Sequence, residues 1–498
     1  MGKGRLIHET TSLCAVCKIA LAASVTANER GEAIMTKRCP THGAQSVRLS
    51  TNAAWYERTR AIPSVASPPP TTREIEHGCP FDCGPCTAHE QRIRMPVVTI
   101  TSACDLDCPM CYVHNKNDDA YFMSKSEFGH VLDHLVTGAR GDLDLINLTG
   151  GEPTLHPELP EFIEMCQHAG IHRVSVCSHG LGLLKNDALL ERLAKLGARI
   201  ALSFDTFNDR TDKALNGVRS VDAKLKCLDR LDAYGISTTL IPVMTKGYND
   251  HEIGKIVRMG LLRSSVRHLE IHTITYTGQG GTHFDRQGRI SMVEVLERIR
   301  DTTDGLLTPD DFVPSPCAHP LCYQIAYLLM DPAGGPPVPF TRFLGAGDVY
   351  KSLGDHLYLE PSPKLESLLQ DAIDKLWAHG NAHGSAHESE GGGDERTLGM
   401  LNHFLRELFP KKPLSPAESL RRSERLVKAI YVHSHMDEET FDVERARQCC
   451  DSNCYADGKT VPVCNYNVLY REKETRFMQQ PKTWSDRSGG RHFLRILQ

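Results

Sequence analysis

PVVTITSACDLDCPMC, Pro96–Cys111, joins a β-branched run directly to a C-x3-C-x2-C triplet, and its reading decides the fold. Val97, Val98, Thr99, Ile100 and Thr101 favour an extended strand. Cys104, Cys108 and Cys111 then lie in a loop at the strand's C-terminal end, where α/β folds place their ligand sites. A four-iron cluster ordinarily takes four cysteines, so a triplet leaves one iron open. CPFDCGPC, Cys79–Cys86, repeats the spacing with no strand before it.

Outward from this stretch, strand-like runs recur at 143–150, 173–180, 199–206, 237–245 and 268–276, with helical patterns between them. The first helix has Ser124 and Glu127 at capping-box spacing, and Phe128, Val131, Leu132 and Leu135 on one face. Strand and helix alternating about six times predict an α/β fold, a parallel sheet with right-handed crossovers that is open or closed into a barrel. LTGGEPTLHPEL, Leu148–Leu159, ends the second strand; its glycines let backbone approach a ligand, and Glu152 accepts a hydrogen bond from an ammonium. Ser203 and Asp205 alternate with Leu202 and Phe204, which turns them toward the barrel interior.

The chain has 498 residues, 40% hydrophobic and 24% charged, with a net charge of −5. That composition is globular and gives no support to nucleic-acid binding. The most apolar run, YQIAYLLM (Tyr323–Met330), is too short to span a bilayer, and the N-terminus lacks the apolar segment of a signal peptide. A cytoplasmic location follows, with peripheral membrane contact left open. In a reducing compartment the 18 cysteines are expected to bind metal rather than form disulfides. Cys166, Cys177 and Cys227 stand alone and read as core residues. Cys14, Cys17, Cys39 and His42 have the ligand types of a Cys3His zinc knuckle or a rubredoxin-like site. Three regions are expected: 1–93 with this site and the Cys79 triplet, 94–290 as the α/β core, and 291–498, mostly helical and irregular, with a flexible loop at 379–397 and late cysteines.

The triplet followed by Gly150-Gly151-Glu152-Pro153 resembles the radical S-adenosylmethionine (SAM) enzymes, over about residues 95–285. The resemblance implies a partial (β/α)6 barrel in which Cys104, Cys108 and Cys111 hold a [4Fe-4S] cluster whose open iron takes the methionine end of SAM. A 5′-deoxyadenosyl radical would then abstract hydrogen from an unactivated carbon. It further implies Thr149, Gly150, Gly151 and Glu152 at the methionine amine, Ser178 and His179 near the ribose, and Met110 or Tyr112 against adenine. SLCAVC, CPTHG, GCPFDCGPC, KAIYVHSHMDEETFDVERARQCC and PVCNYN together resemble the tetraether lipid synthase family. This implies two auxiliary four-iron clusters, one N-terminal zinc or iron, and carbon–carbon coupling of lipid chain ends. One auxiliary cluster would use Cys317, Cys322, Cys449 and Cys464; the other Cys79, Cys83 and Cys86, with Cys454 or Cys450 as fourth ligand. The substrate would be a lipid or another small molecule, and the reductant a flavodoxin or ferredoxin. Modification of a heterocycle such as a pterin is the alternative enzyme, favoured by a polar pocket in place of an apolar tunnel; an electron-transfer or scaffold protein is the alternative of another class.

Overall fold

A computed structural model describes residues 4–70, 74–84, 86–113, 119–139, 142–143, 145–382, 391–471 and 474. The first 50 residues form an antiparallel meander of β1 (Arg5–Leu13), β2 (Ala20–Ala27), β3 (Ala33–Cys39) and β4 (Gly43–Ser50). Along β3 the inward residues Ala33, Met35, Lys37 and Cys39 alternate with more exposed ones, the period-2 pattern of a half-buried strand.

Six strands of the core follow the expected positions: β5 (Met95–Thr101), β6 (Leu145–Gly150), β7 (Arg173–Ser178), β8 (Arg199–Ser203), β9 (Thr238–Ile241) and, after the short β10 (Val243–Met244), β11 (Val266–Thr273). They pair in parallel, each with the next, β10 lying beside β11. The capping box of helix Lys125–Ala139 is formed: Ser124 N donates to Glu127 Oε2 at 2.8 Å and Glu127 N to Ser124 Oγ at 3.2 Å. Its apolar face is buried, with Phe128 stacked on Phe162 at 4.4 Å between centroids. Val98, Leu148, Val176, Ile200, Leu240 and Leu269 fill the same layer; each large side chain removed from water contributes about 1.5–3 kcal/mol.

The sheet does not close. Its thirteen strands run on past both ends of the core. Beyond β11 come β15 (Val427–His433), parallel to it, and then the antiparallel β13 (Tyr323–Leu329), with β12 (Val313–Pro314) and β14 (Val338–Pro339) against β13; beyond β5 come β16 (Asp451–Cys454) and β17 (Thr460–Pro462). After residue 290 the described residues are mostly helical, as expected, but they also supply six strands that the sequence did not show. Every residue of β13 is buried, and a strand covered on both faces shows a continuous apolar run instead of alternation. The loop expected at 379–397 is also shortened. Helices Pro363–Ala382 and Gly391–Leu408 take its two ends, and residues 383–390 lie outside the described residues. Among the described residues no helix is long and apolar enough to cross a membrane.

Lys428 of β15 ties this extension to the core. Its ammonium donates to the carbonyls of Gly260, Leu261 and Arg263 at 2.7–2.9 Å, acceptors that the end of helix Ile253–Leu262 leaves unpaired. Lys428→Met should lower the apparent unfolding free energy by about 2–4 kcal/mol, because three buried carbonyls lose their donor. Burial pulls the Lys428 ammonium down to about 8, against about 10.4 in the unfolded chain. The folded chain releases this proton first, so the desolvation cost present below pH 8 is relieved between about pH 8 and 10.4. Parent and variant compared by thermal unfolding across that window should show this stabilising contribution only in the parent.

Candidate active site and metal centres

Backbone hydrogen bonds hold the cysteine loop after β5. Ser102 N donates to Tyr121 O at 3.0 Å, Met110 N to Leu215 O at 3.1 Å, and Gly280 N to Cys111 O at 3.0 Å. Gly217, at φ +75°, lets the helix end approach closely, since a Cβ there would lie 2.8 Å from Asp107 O. The three thiols line one cavity of about 320 Å³. Burial raises all three thiol pKa values, with the charge of Cys108 adding at Cys104 and that of Cys111 adding at Cys108. Three crowded, desolvated thiolates need a cationic partner, and the donor set fits an iron cluster.

The glycines at the end of β6 have a further role besides lining the cavity. Gly150 has φ +136°, and a Cβ would meet Thr101 O at 1.9 Å; at Gly151 it would meet Ala103 O at 2.0 Å. They let this turn lie flat against the strand that carries the cysteines, while also lining the cavity. Gly151 N and Glu152 N then donate to Thr101 O and Ala103 O at 2.8 and 2.7 Å. The buried Glu152 carboxylate accepts from Thr154 Oγ1 at 2.6 Å, Ser178 Oγ at 2.8 Å and His179 N at 2.9 Å. His179 Nε2 reaches Asp105 Oδ1 at 2.6 Å. Burial disfavours its charge, but Glu152 and Asp105 outweigh this and raise its pKa.

Thr149, Tyr112, Met110 and Ser203 line the same cavity, and the Arg471 guanidinium lies 4.8 Å from the Tyr112 ring centroid. Asp205 is placed differently from the expectation. Strand β8 ends at Ser203, so alternation lapses, and Asp205 turns behind the wall to accept from Asn216 Nδ2 and Val243 N, both at 2.9 Å, with Lys224 Nζ at 3.8 Å. Cys177 also lines the cavity, whereas Cys166 and Cys227 are core residues.

The far wall was not read from the sequence. It carries Glu270, His272, Tyr323, His433, His435 and Asp451. Tyr323 stacks on His433 with centroids 3.7 Å apart. The available signal was VHSH at the end of β15, whose i, i+2 histidines fall on one side of an extended chain.

In the N-terminal meander the ligand atoms of Cys14, Cys17, Cys39 and His42 all lie within 4.8 Å of one another. His42 Nδ1 is 3.5 Å from Cys14 Sγ and 3.4 Å from Cys39 Sγ, a donor set suited to a tetrahedral metal.

The late cysteines make contacts with one another and with charged neighbours. Burial, then Asp451, Cys464 and Cys322, raise the Cys449 pKa, and Arg445 Nη2 donates to Cys322 Sγ at 3.5 Å. Cys317 Sγ instead lies 3.6 Å from Cys450 Sγ. Cys79, Cys83 and Cys86 line a separate small cavity with Asn465, whose Nδ2 donates to Cys83 Sγ at 3.1 Å. Cys454 lines another cavity, of about 430 Å³, beside Val131 and Leu135, and its Sγ donates to Ser452 O at 3.3 Å. Neither Cys454 nor Cys450 is among the described residues that line the cavity of the Cys79 triplet.

Residues 98–260 match the radical SAM superfamily. The core is a radical SAM domain. Residues 6–51 match the HMPTM N-terminal zinc ribbon domain. Over an alignment of 522 positions, gaps included, the chain is 25% identical to 7,8-dihydro-6-hydroxymethylpterin dimethyltransferase of Methanocaldococcus jannaschii, covering 96% of each chain. It is 27% identical to a probable GTP 3′,8-cyclase of Saccharolobus islandicus over 41% of this chain and 64% of that one. A structure of Streptococcus suis SuiB bound to S-adenosylmethionine aligns at TM-score 0.36 and 18% identity, over 43% of this chain and 48% of that one. The open sheet with its cysteine loop at the strand ends is thus a radical SAM fold preceded by a zinc ribbon.

Proposed function

We propose that this radical SAM enzyme modifies a polar heterocycle of the pterin class, with C-methylation as the reaction. Polar side chains converging at a few points of an otherwise largely apolar cavity are the observation that carries the reading. Inward positions of the core strands are Asn147, Ser175, Arg199 and Glu270, with Tyr323 and Asn453 completing the surface. Arg199, Glu270 and Tyr323 already pair with Glu424, His272 and Asp451; hydrocarbon costs about 1–3 kcal/mol at any remaining polar group it deprives of a partner, whereas a heterocycle rich in nitrogen and oxygen supplies one. The full-length similarity to a pterin dimethyltransferase supports the same direction.

With cluster and SAM bound, the cofactor supplies one-electron cleavage and abstraction of hydrogen from carbon. Cys104, Cys108 and Cys111 hold the cluster. Glu152 takes the methionine ammonium, Ser178 and His179 orient the ribose side, and Tyr112 packs against adenine. A flavodoxin or ferredoxin delivers the electron. The groups around Cys322, Cys449 and Cys464 and around Cys79, Cys83 and Cys86 serve as auxiliary clusters.

One observation favours lipid coupling as a second reading. Cys464 Sγ lies 3.9 Å from His435 Nδ1, and His435 lines the cavity, so an auxiliary cluster would stand close enough to hold a carbon-centred fragment until a second chain is activated. Anaerobically reconstituted enzyme, given SAM and dithionite with either 7,8-dihydro-6-hydroxymethylpterin or vesicles of long-chain lipid, separates the two by mass spectrometry. The expected product is a methylated pterin. A lipid that has lost hydrogen and gained a new chain-end bond would replace the first reading by the second, and absence of SAM cleavage with full iron loading would remove both.

A further inference from the structure

Three imidazoles meet on the cavity wall contributed by β11 and β15. His272 and His433 are register partners on these parallel neighbours, and His435 follows two residues later. One ring nitrogen of each lies within 4.8 Å of the others, and the His433 and His435 centroids are 4.0 Å apart. His272 Nε2 is 3.0 Å from Glu270 Oε1; a carboxylate accepts, so Nε2 carries the proton and Nδ1 keeps a free lone pair. A carboxylate bonded to the second ring nitrogen is the support that ligating histidines use to fix their tautomer. His433 is only 4% exposed, and its buried Nδ1 makes no hydrogen bond, the Glu270 Oε1 that it faces lying 3.7 Å away. A buried imidazole nitrogen in that state costs about 1–3 kcal/mol, a cost that coordination would offset.

We propose that His272, His433 and His435 bind a divalent first-row transition cation, in a three-nitrogen site whose remaining position opens on the cavity. Imidazole donors suit zinc, iron, cobalt and nickel, and three protein ligands leave room for water or a substrate heteroatom. Because the histidines extend from adjacent strands, the sheet itself sets their spacing. The site is separate in position and donor type from the zinc ribbon and the SAM cysteines, and it stands whichever substrate the enzyme takes.

Cobalt(II) is the probe. Full-length protein with its iron clusters reconstituted is titrated anaerobically with Co2+, followed by absorption and metal analysis. The parent should take up one cobalt beyond that of the ribbon, with weak ligand-field bands and no thiolate charge transfer. His433→Ala and His272→Gln should each lose that cobalt while keeping iron content and the ribbon signal. Equal uptake and identical spectra in parent and variants would overturn the proposal. So would a histidine-dependent band with thiolate charge transfer, which would assign His435 to the Cys464 group. Should the variants fail to load iron, zinc-edge X-ray absorption of the unaltered protein decides instead: a nitrogen and oxygen shell beside the ribbon's sulfur-rich one is expected, and sulfur-rich zinc alone would overturn it.

Discussion

Cys108→Ala should abolish formation of 5′-deoxyadenosine from SAM while the remaining iron centres still assemble. The charge of Cys111 raises the Cys108 thiol pKa, and that of Cys108 raises the Cys104 thiol pKa. Removing one of three ligands leaves two thiolates in a desolvated pocket, too few to retain a cluster with a single open iron. The Cys79 and Cys322 groups draw on different parts of the chain, so their iron should persist. The measurement is paired: nucleoside release by chromatography, and iron and sulfide per chain. The parent should lose about four irons on substitution. Retained nucleoside formation would refute the assignment of the triplet.

Gly150→Ala should be nearly as damaging, although no ligand need be touched. The added methyl would sit 1.9 Å from Thr101 O, on a residue at φ +136°. Both the contact and the dihedral are forbidden to alanine. Relief requires β5 and β6 to separate at the point where the cysteine loop leaves, and a cost beyond about 4 kcal/mol is expected. Gly170 provides the control. It also has positive φ, +86°, but nothing lies within 4 Å of a Cβ there, so Gly170→Ala should cost only about 1–2 kcal/mol. Yield of iron-loaded protein and SAM turnover for the two variants would separate steric collision from dihedral preference. Equal behaviour would show that close approach at Gly150 is unimportant.

Much of the core was legible because its signals are local. Strand runs, the Ser124 capping box, the cysteine spacing and GGEP are each written within a dozen residues. Asp205 was misplaced because alternation predicts a face only while the strand lasts, and β8 ends two residues earlier. The contact of the Cys317 thiol with Cys450, 133 positions away, could not be read from sequence spacing. Such pairings depend on how β13 and β15 dock, which no local pattern encodes. The histidine wall escaped for the same reason: His272 and His433 become neighbours only through strand register. Polar inward residues on β6, β7 and β11 could have been read from alternation, and they bear most directly on the substrate.

The strands that flank the core at both edges carry a consequence for biosynthesis. β15 completes one edge and β16 the other, so residues 434–450 must cross from side to side, bringing His435 and Cys449 with them. Tyr466 and Asn467 then line the same cavity as the SAM cysteines. A nascent chain that had emerged only as far as β11 would present two unpaired sheet edges, which invite association with other chains, and an unfinished cavity. Iron delivered at that stage would meet three cysteines open to solvent. Maturation should therefore await synthesis of residues 434–467, which enclose a centre whose first ligands were made hundreds of residues earlier.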